Sequence, residues 1–221
     1  MIIAIDGPSG AGKSTLGKAL AKRLGLLYLD TGAMYRAVAL MALDEGIDTS
    51  DAGAMTGAAE RAEITLSGEP EHLTVELNGE DVSERIRRPE VGQAASVIST
   101  ISGVRRSLVE RQRRLGKKAA NGAVLDGRDI GTVVFPDAEY KFFLTAKPEA
   151  RARRRFEEDA AKGRAASFEE TVEEINRRDE RDATREDSPL RIAEDATVID
   201  TSEMEIEDVL EAMLEAVSGN K

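Results

Sequence analysis

The sequence predicts an α/β fold built on a five-stranded parallel sheet with helices on both faces. Three observations carry this. Short apolar runs at residues 2–5, 26–29, 123–126, 140–145 and 197–200 alternate with helix-periodic stretches, and such alternation is the signature of parallel strands joined by crossover helices. The first run leads directly into Gly7-Pro8-Ser9-Gly10-Ala11-Gly12-Lys13-Ser14, which fits G-x-x-x-x-G-K-[ST] at every fixed position. The run at 123–126 ends in an acid, Asp126, followed by Gly127-Arg128-Asp129.

Taken in order, residues 2–5 read as a fully buried strand, and Leu16, Leu20 and Leu24 recur every four residues, so a helix begins at about Lys13. Strand, glycine loop and helix come in the order that a phosphate cradle needs. Gly7, Gly10 and Gly12 let successive N–H groups point into one concavity, and the helix N-terminus adds unpaired donors and the positive end of its dipole. Lys13 can reach the β- and γ-phosphates of a nucleotide, and the Ser14 hydroxyl can ligate Mg²⁺. The loop, residues 7–15 with Thr15 at its helical end, therefore points to ATP or a similar triphosphate. It leaves hydrolase, switch and kinase open.

A second strand, 26–29, closes at Asp30-Thr31-Gly32, and a helix follows over 33–43 with Gly46 as its stop. Arg36, one turn into that helix, reads equally as a solvated charge or as a ligand for a substrate phosphate. Residues 50–88 change character: a helix over 52–62, then alternating segments at 64–66 and 73–77 flanked by turn residues, the pattern of a small antiparallel sheet inserted into the βα rhythm. His72, the only histidine, has no partner motif and reads as a surface side chain. Residues 90–101 and 104–118 read as two helices broken at Ser102-Gly103. The second carries seven basic residues and reads as a solvated face with one or two arginines turned to a substrate.

The strand ending at Asp126 is the arrangement that sets a carboxylate beside Mg²⁺ in phosphate-loop folds. Arg128 and Asp129 project from its carboxyl end, where ligands bind in open α/β sheets. Lys147-Pro148-Glu149 lacks the Asn and Asp of a guanine-reading motif and reads as a helix start with Pro in its first turn. Residues 151–185 are dense in arginine and contain Gly163 between two helices, the makings of a mobile lid; Arg151, Arg153, Arg154 and Arg155 read equally as a salt-bridged face. The chain closes with the strand 197–200, the loop Thr201-Ser202 and an amphipathic helix over 206–217.

Composition narrows the function. With 42 acidic and 31 basic residues the net charge is −11, which repels nucleic acid and anionic membranes at long range, so a site for a phosphorylated substrate must be a local basic pocket. There is no cysteine, which excludes disulfides and Cys-zinc sites, and one histidine leaves no Ser-His-Asp array. Aromatic residues are 4% and Trp is absent, which argues against base-stacking platforms for single-stranded nucleic acid. No apolar run has the length of a membrane span, and the first strand is not a signal peptide, so a cytoplasmic, membrane-free protein is expected. Transfer of a phosphoryl group to another phosphate needs alignment and charge neutralisation rather than a general base, and the inventory of Lys13, Ser14, Asp126 and lid arginines suits that reaction.

Over essentially its whole length the chain resembles the bacterial cytidylate (CMP/dCMP) kinases. The motifs that carry the resemblance are Ile5-Asp-Gly-Pro-Ser-Gly-Ala-Gly-Lys-Ser14, Asp30-Thr-Gly-Ala-Met-Tyr-Arg36, Asp126-Gly-Arg-Asp-Ile-Gly-Thr-Val-Val-Phe-Pro136 and Arg178-Asp-Glu-Arg-Asp-Ala-Thr-Arg185. The resemblance implies a P-loop NTPase fold with a core at 1–30, 104–150 and 186–221, a nucleoside-monophosphate region at 31–103 containing the insert at about 50–88, and a lid at about 151–185. It implies γ-phosphoryl transfer from ATP, with Mg²⁺, to CMP or dCMP. Thr31, Arg36 and Arg128 would hold the CMP phosphate. Ser96, Arg105 and Asp129 would read the cytosine edge, whose exocyclic amine suits a carboxylate acceptor. Asp182 and Arg185 would contact sugar and phosphate, and the loop at 200–202 would sit near adenine. Arg178 and Arg181 would join Lys13 and Arg128 as catalytic residues by stabilising charge on the transferring group. A monomer acting on small molecules is expected. Another small-molecule kinase, such as one for shikimate, and a nucleotide-dependent switch are the rival readings; a switch would carry the base-reading N-K-x-D, which is absent.

Overall fold

The computed structural model describes residues 1–161, 163 and 167–219. The expected lid at 151–185 therefore includes four residues, 162 and 164–166, that lie outside the described residues. The central sheet has five parallel strands, β1 (Ile2–Asp6), β2 (Leu27–Asp30), β6 (Ala123–Gly127), β7 (Tyr140–Thr145) and β8 (Thr197–Asp200), in the order β2-β6-β1-β7-β8. Helices cover both faces: α1 (Lys13–Leu24) packs beside α8 (Ile206–Ser218), and α2 (Thr31–Asp44) packs against α4 (Pro89–Ile98) and α5 (Ser102–Lys118). The register aligns Ile5 and Asp30 with Asp126, and Asp6 with Gly127, so the carboxyl ends of β1, β2 and β6 lie side by side. Chain order reverses across β1, which makes this edge the natural ligand crevice. Ile3, Ile5, Leu29, Val124, Leu125 and Leu144 are among the sheet residues in the buried core. Among the described residues no helix is long and apolar enough to cross a membrane.

The insert opens with α3 (Ala52–Arg61) and forms an antiparallel sheet of β3 (Ile64–Ser67), β4 (Thr74–Leu77) and a third strand, β5 (Glu80–Asp81), that the alternation does not reveal because it is two residues long. Asn78 and Gly79 turn β4 into β5 with φ of 52° and 83°, the dihedrals of a two-residue hairpin.

Several boundaries differ from those expected. Helix α2 starts at Thr31, not 33, because the Asp30 carboxylate accepts the Ala33 N–H at 2.9 Å and caps it. The break between α4 and α5 falls at residues 99–101, so Ser102 and Gly103 open α5 instead of interrupting it. Gly103 serves packing there: a Cβ would overlap the Thr56 side chain of α3. The final helix, α8, runs one residue past the expected 217. The arginine-rich region comprises α6 (Pro148–Ala161) and α7 (Phe168–Thr184), which pack on each other with Phe156 and Phe168 edge to face at 6.2 Å. A capping box between Ser167 and Glu170 starts α7.

Candidate active site

A cavity of about 740 Å³ opens at the carboxyl edge of the sheet. Ser9 to Thr15 line one end, the β2–α2 and β6 junctions its floor, and α4, α5 and α7 the other end. Gly7 and Pro8 lie behind the lining. Gly7 is required because a Cβ would strike the Leu144 carbonyl, and Gly12, at φ 87°, makes the left-handed turn that starts α1.

At the donor end the buried Lys13 ammonium donates to the Pro8 carbonyl at 2.7 Å. Burial pulls its pKa well below the ordinary lysine value, Arg128 and Arg178 add to the fall, and Asp126 opposes it. The Ser14 hydroxyl donates to Asp126 Oδ2 at 2.6 Å. The second oxygen, Asp126 Oδ1, is buried with no hydrogen-bond partner. Burial, and then the Asp30 carboxylate, push the Asp126 pKa up to about 6. Asp126 and Ser14 thus offer hard oxygen ligands, one orphaned and in an over-negative setting, and these residues fit a Mg²⁺ that arrives with a nucleotide. Among the described residues no group of three or more His, Asp or Glu forms a separate metal site.

The middle of the cavity is cationic. Arg128 Nε donates to Asp182 Oδ2 at 2.8 Å. Burial works against the Arg128 charge, but Asp182 outweighs it and raises the pKa. Arg178 has no hydrogen-bond partner at its buried Nε, and burial together with Arg128 lowers it to about 10. Arg36 pairs with Asp30 at 2.8 Å, again with a buried, unpartnered Nε. Thr31 gives its hydroxyl proton to the Asp126 backbone carbonyl at 2.6 Å.

At the far end Asp129 Oδ2 accepts from Arg105 Nη2 at 2.5 Å, and Asp129 Oδ1 lies 3.8 Å from Arg185 Nη2. Arg185 Nη1 is 3.7 Å from Asp182 Oδ1. The Arg105 guanidinium sits 5.8 Å from the Tyr35 ring centroid. Ser96 lines this end at 6% exposure. The structure thus gathers Lys13, Ser14, Thr31, Arg36, Ser96, Arg105, Asp126, Arg128, Asp129, Arg178, Asp182 and Arg185 around one cavity. Arg181 is not itself among the lining residues; its Nη1 donates to the Oγ of Ser96, which is, at 2.5 Å.

Three supporting residues escape a reading of the sequence. Asp6, at the end of β1, accepts the Ile130 N–H at 2.8 Å and the Gly131 N–H at 2.7 Å, which pins the wide turn after Asp129. Asp30 both caps α2 and holds Arg36. Arg151, left open between lid and surface, is buried: it donates to the Ala146 and Ser9 carbonyls and pairs with Asp179 at 2.6 Å, fastening α7 to the phosphate loop. An acid at a strand end was the one visible signal for Asp6 and Asp30; nothing in the sequence marks Arg151 out from its neighbours.

The family model for cytidylate kinase matches residues 3–219. The chain belongs to the cytidylate kinase family. It is 51% identical over 218 residues to the cytidylate kinase of Caldanaerobacter subterraneus subsp. tengcongensis, covering 99% of this chain and 95% of the relative. It is 50% identical over 215 residues to that of Bacillus velezensis, covering 97% and 95%. It is 48% identical over 220 residues to that of Corynebacterium glutamicum, covering 100% and 95%. Among solved structures it is similar to a shikimate kinase from Bacteroides thetaiotaomicron, with a TM-score of 0.51 at 15% identity over 98% of each chain. An uncharacterized protein from Eubacterium ventriosum gives a TM-score of 0.53 at 11% identity, again over 98% of each chain. These two likenesses show a shared fold. As a member of the cytidylate kinase family the chain is an ATP-dependent kinase.

Proposed function

We propose that the chain transfers the γ-phosphoryl group of ATP to CMP or dCMP, giving CDP or dCDP and ADP, as a cytoplasmic monomer. The observation that carries this reading is the cluster of Lys13, Arg128 and Arg178. Burial lowers the pKa of both Lys13 and Arg178, and the Arg128 charge adds to each fall, so like charges are concentrated here. Such a cluster stabilises an anion placed among the three groups. It lies between a triphosphate cradle at one end and a carboxylate–guanidinium pair, Asp129 and Arg105, at the other.

In this reading a CMP phosphate oxygen attacks the γ-phosphorus while the bond to the β–γ bridging oxygen breaks and ADP leaves. The acceptor is already an oxyanion, so no base is needed. Thr31, Arg36 and Arg128 hold the acceptor phosphate, Lys13 spans donor and acceptor, and Arg178 meets charge spreading over the transferred group. Asp129 and Arg105 take the cytosine edge with Ser96, and Asp182 and Arg185 orient sugar and phosphate. Mg²⁺ held by Ser14 and Asp126 would neutralise the donor's β- and γ-oxygens. Residues 1–30, 104–150 and 186–221 act as the core, 31–103 as the acceptor region and 151–185 as the lid that excludes water.

A coupled assay with ATP and Mg²⁺ across CMP, dCMP, UMP, AMP and shikimate tests the reading. Turnover concentrated on the cytidine nucleotides is expected; negligible turnover of both, or a preference for AMP or shikimate, would contradict it.

A further inference from the structure

We propose that Arg181 is a positioning residue for acceptor-base selection: it holds the Ser96 hydroxyl as a fixed hydrogen-bond donor facing the cavity. This rests on the cytidylate kinase reading above and adds to it a specificity device.

The geometry is a contact between two elements far apart in sequence. Arg181 Nη1 on α7 donates to Ser96 Oγ on α4 at 2.5 Å across 85 positions. A guanidinium has donors and no acceptor, so the serine oxygen can only accept from it. The serine proton must then go elsewhere. Among the described residues Ser96 Oγ donates to no protein group, and the Ser96 backbone carbonyl is engaged by the Ser99 hydroxyl at 2.8 Å. Ser99 in turn gives its carbonyl to Arg105 Nη1 at 3.1 Å, and Arg105 holds Asp129 at 2.5 Å. Ser96 is 6% exposed and lines the cavity, so its O–H is left for whatever fills that end.

The result is a matched pair at the base-reading end: Asp129, an acceptor, and Ser96, a donor. A cytosine edge presents the complement, an exocyclic amine with ring nitrogen and carbonyl acceptors beside it. Uracil carries an N–H where cytosine has the bare ring nitrogen, so a locked donor disfavours it. Without Arg181 the hydroxyl can turn and accept as readily as donate, and the discrimination relaxes. Arg181 also follows Arg178 by one helical turn and precedes Asp182 directly, so the same placement of α7 that brings Arg178 into the cavity sets Ser96.

The test is steady-state kinetics with CMP, UMP and ATP for wild type, Arg181→Met, Arg181→Lys, Ser96→Ala and the Arg181→Met/Ser96→Ala double variant, with melting temperatures for each. Arg181→Met should raise KM for CMP and lower the CMP:UMP ratio of kcat/KM by roughly 5–10-fold, the scale of one ordinary hydrogen bond, here the one from the Ser96 hydroxyl to the base. KM for ATP should stay within twofold of wild type, Arg181→Lys should recover much of the selectivity, and the double variant should be no worse than Ser96→Ala alone. A fall in kcat with an unchanged CMP:UMP ratio, additive with Ser96→Ala, would overturn the inference and return Arg181 to the transferring phosphoryl group. Equal losses for both acceptors alongside a large drop in melting temperature would overturn it in favour of a structural tie. A wild-type enzyme that phosphorylates neither CMP nor UMP sinks the cytidylate reading itself, whereas wild-type CMP turnover with an unaffected Arg181→Met variant sinks this inference alone.

Discussion

Asp6 shows how burial and hydrogen bonding compete at a single residue. Two backbone N–H bonds favour its carboxylate, yet burial is the larger influence and Asp129 adds to it, so the pKa rises to about 6 from 3.8. A raised acid pKa means that the fold favours the protonated form. Asp6 therefore contributes most to stability below about pH 4, and that contribution fades as pH rises through about 6. Its size is up to about 3 kcal/mol, at about 1.4 kcal/mol per pKa unit. Denaturant unfolding of wild type and Asp6→Asn between about pH 4.5 and 7.5 should show the wild-type advantage shrinking with rising pH; an advantage that grows would mean that the N–H bonds outweigh burial. Lys13 is the opposite kind of residue, a buried ammonium whose charge burial and the neighbouring arginines disfavour. Lys13→Ala should fold with an unchanged circular dichroism spectrum and lose at least about 100-fold in kcat, because a fixed positive charge leaves the transition state. A variant within a few-fold of wild type would remove Lys13 from the chemistry.

Among the elements, α2 ties fold and site together. Its cap, Asp30, also orients Arg36 and contributes to the raised pKa of Asp126. Asp30→Ala should cost about 1 kcal/mol as a lost cap, or roughly 2–4 °C in melting temperature for a chain of this size. It should also raise KM for CMP, since Arg36 loses the partner that holds it; an unchanged melting temperature would show that the cap is dispensable. Elements were also where the sequence was most legible. Each of the five sheet strands could be read as an apolar run, and α1 from its four-residue leucine spacing, because strong local patterns agree with the final burial. The two-residue β5 and the break before α5 were not legible. The first is too short to carry a period, and the second was misplaced because Gly103, which reads as a breaker, lies inside α5 where Thr56 of α3 leaves no room for a side chain. The arginines of α5 likewise divide by what they reach: Arg111 takes the Ala62, Ala59 and Glu60 carbonyls that end α3, and Arg113 takes the Val133 and Val134 carbonyls, while Arg105 enters the cavity.

For the molecule as a whole, the proposed donor half of the site was legible in one motif, since Gly7 to Ser14 is contiguous and its chemistry depends on order alone. The proposed acceptor half draws on β2, α2, α4, α5, β6 and α7, which the strand register and the packing of helices distant in sequence bring together. Residue types and family resemblance suggested most of its members. They did not place Arg181 on Ser96, or Arg151 beneath the phosphate loop, because both contacts join segments distant in sequence. The proposed function makes this a two-substrate cavity, with triphosphate and monophosphate meeting at the cluster of Lys13, Arg128 and Arg178. That division is tested most directly by KM for CMP and for ATP in Asp129→Ala, measured in the same coupled assay. The account predicts a rise of at least about 10-fold for CMP, from the loss of a buried charged acceptor, with KM for ATP within about twofold. Equal rises for both substrates would contradict it.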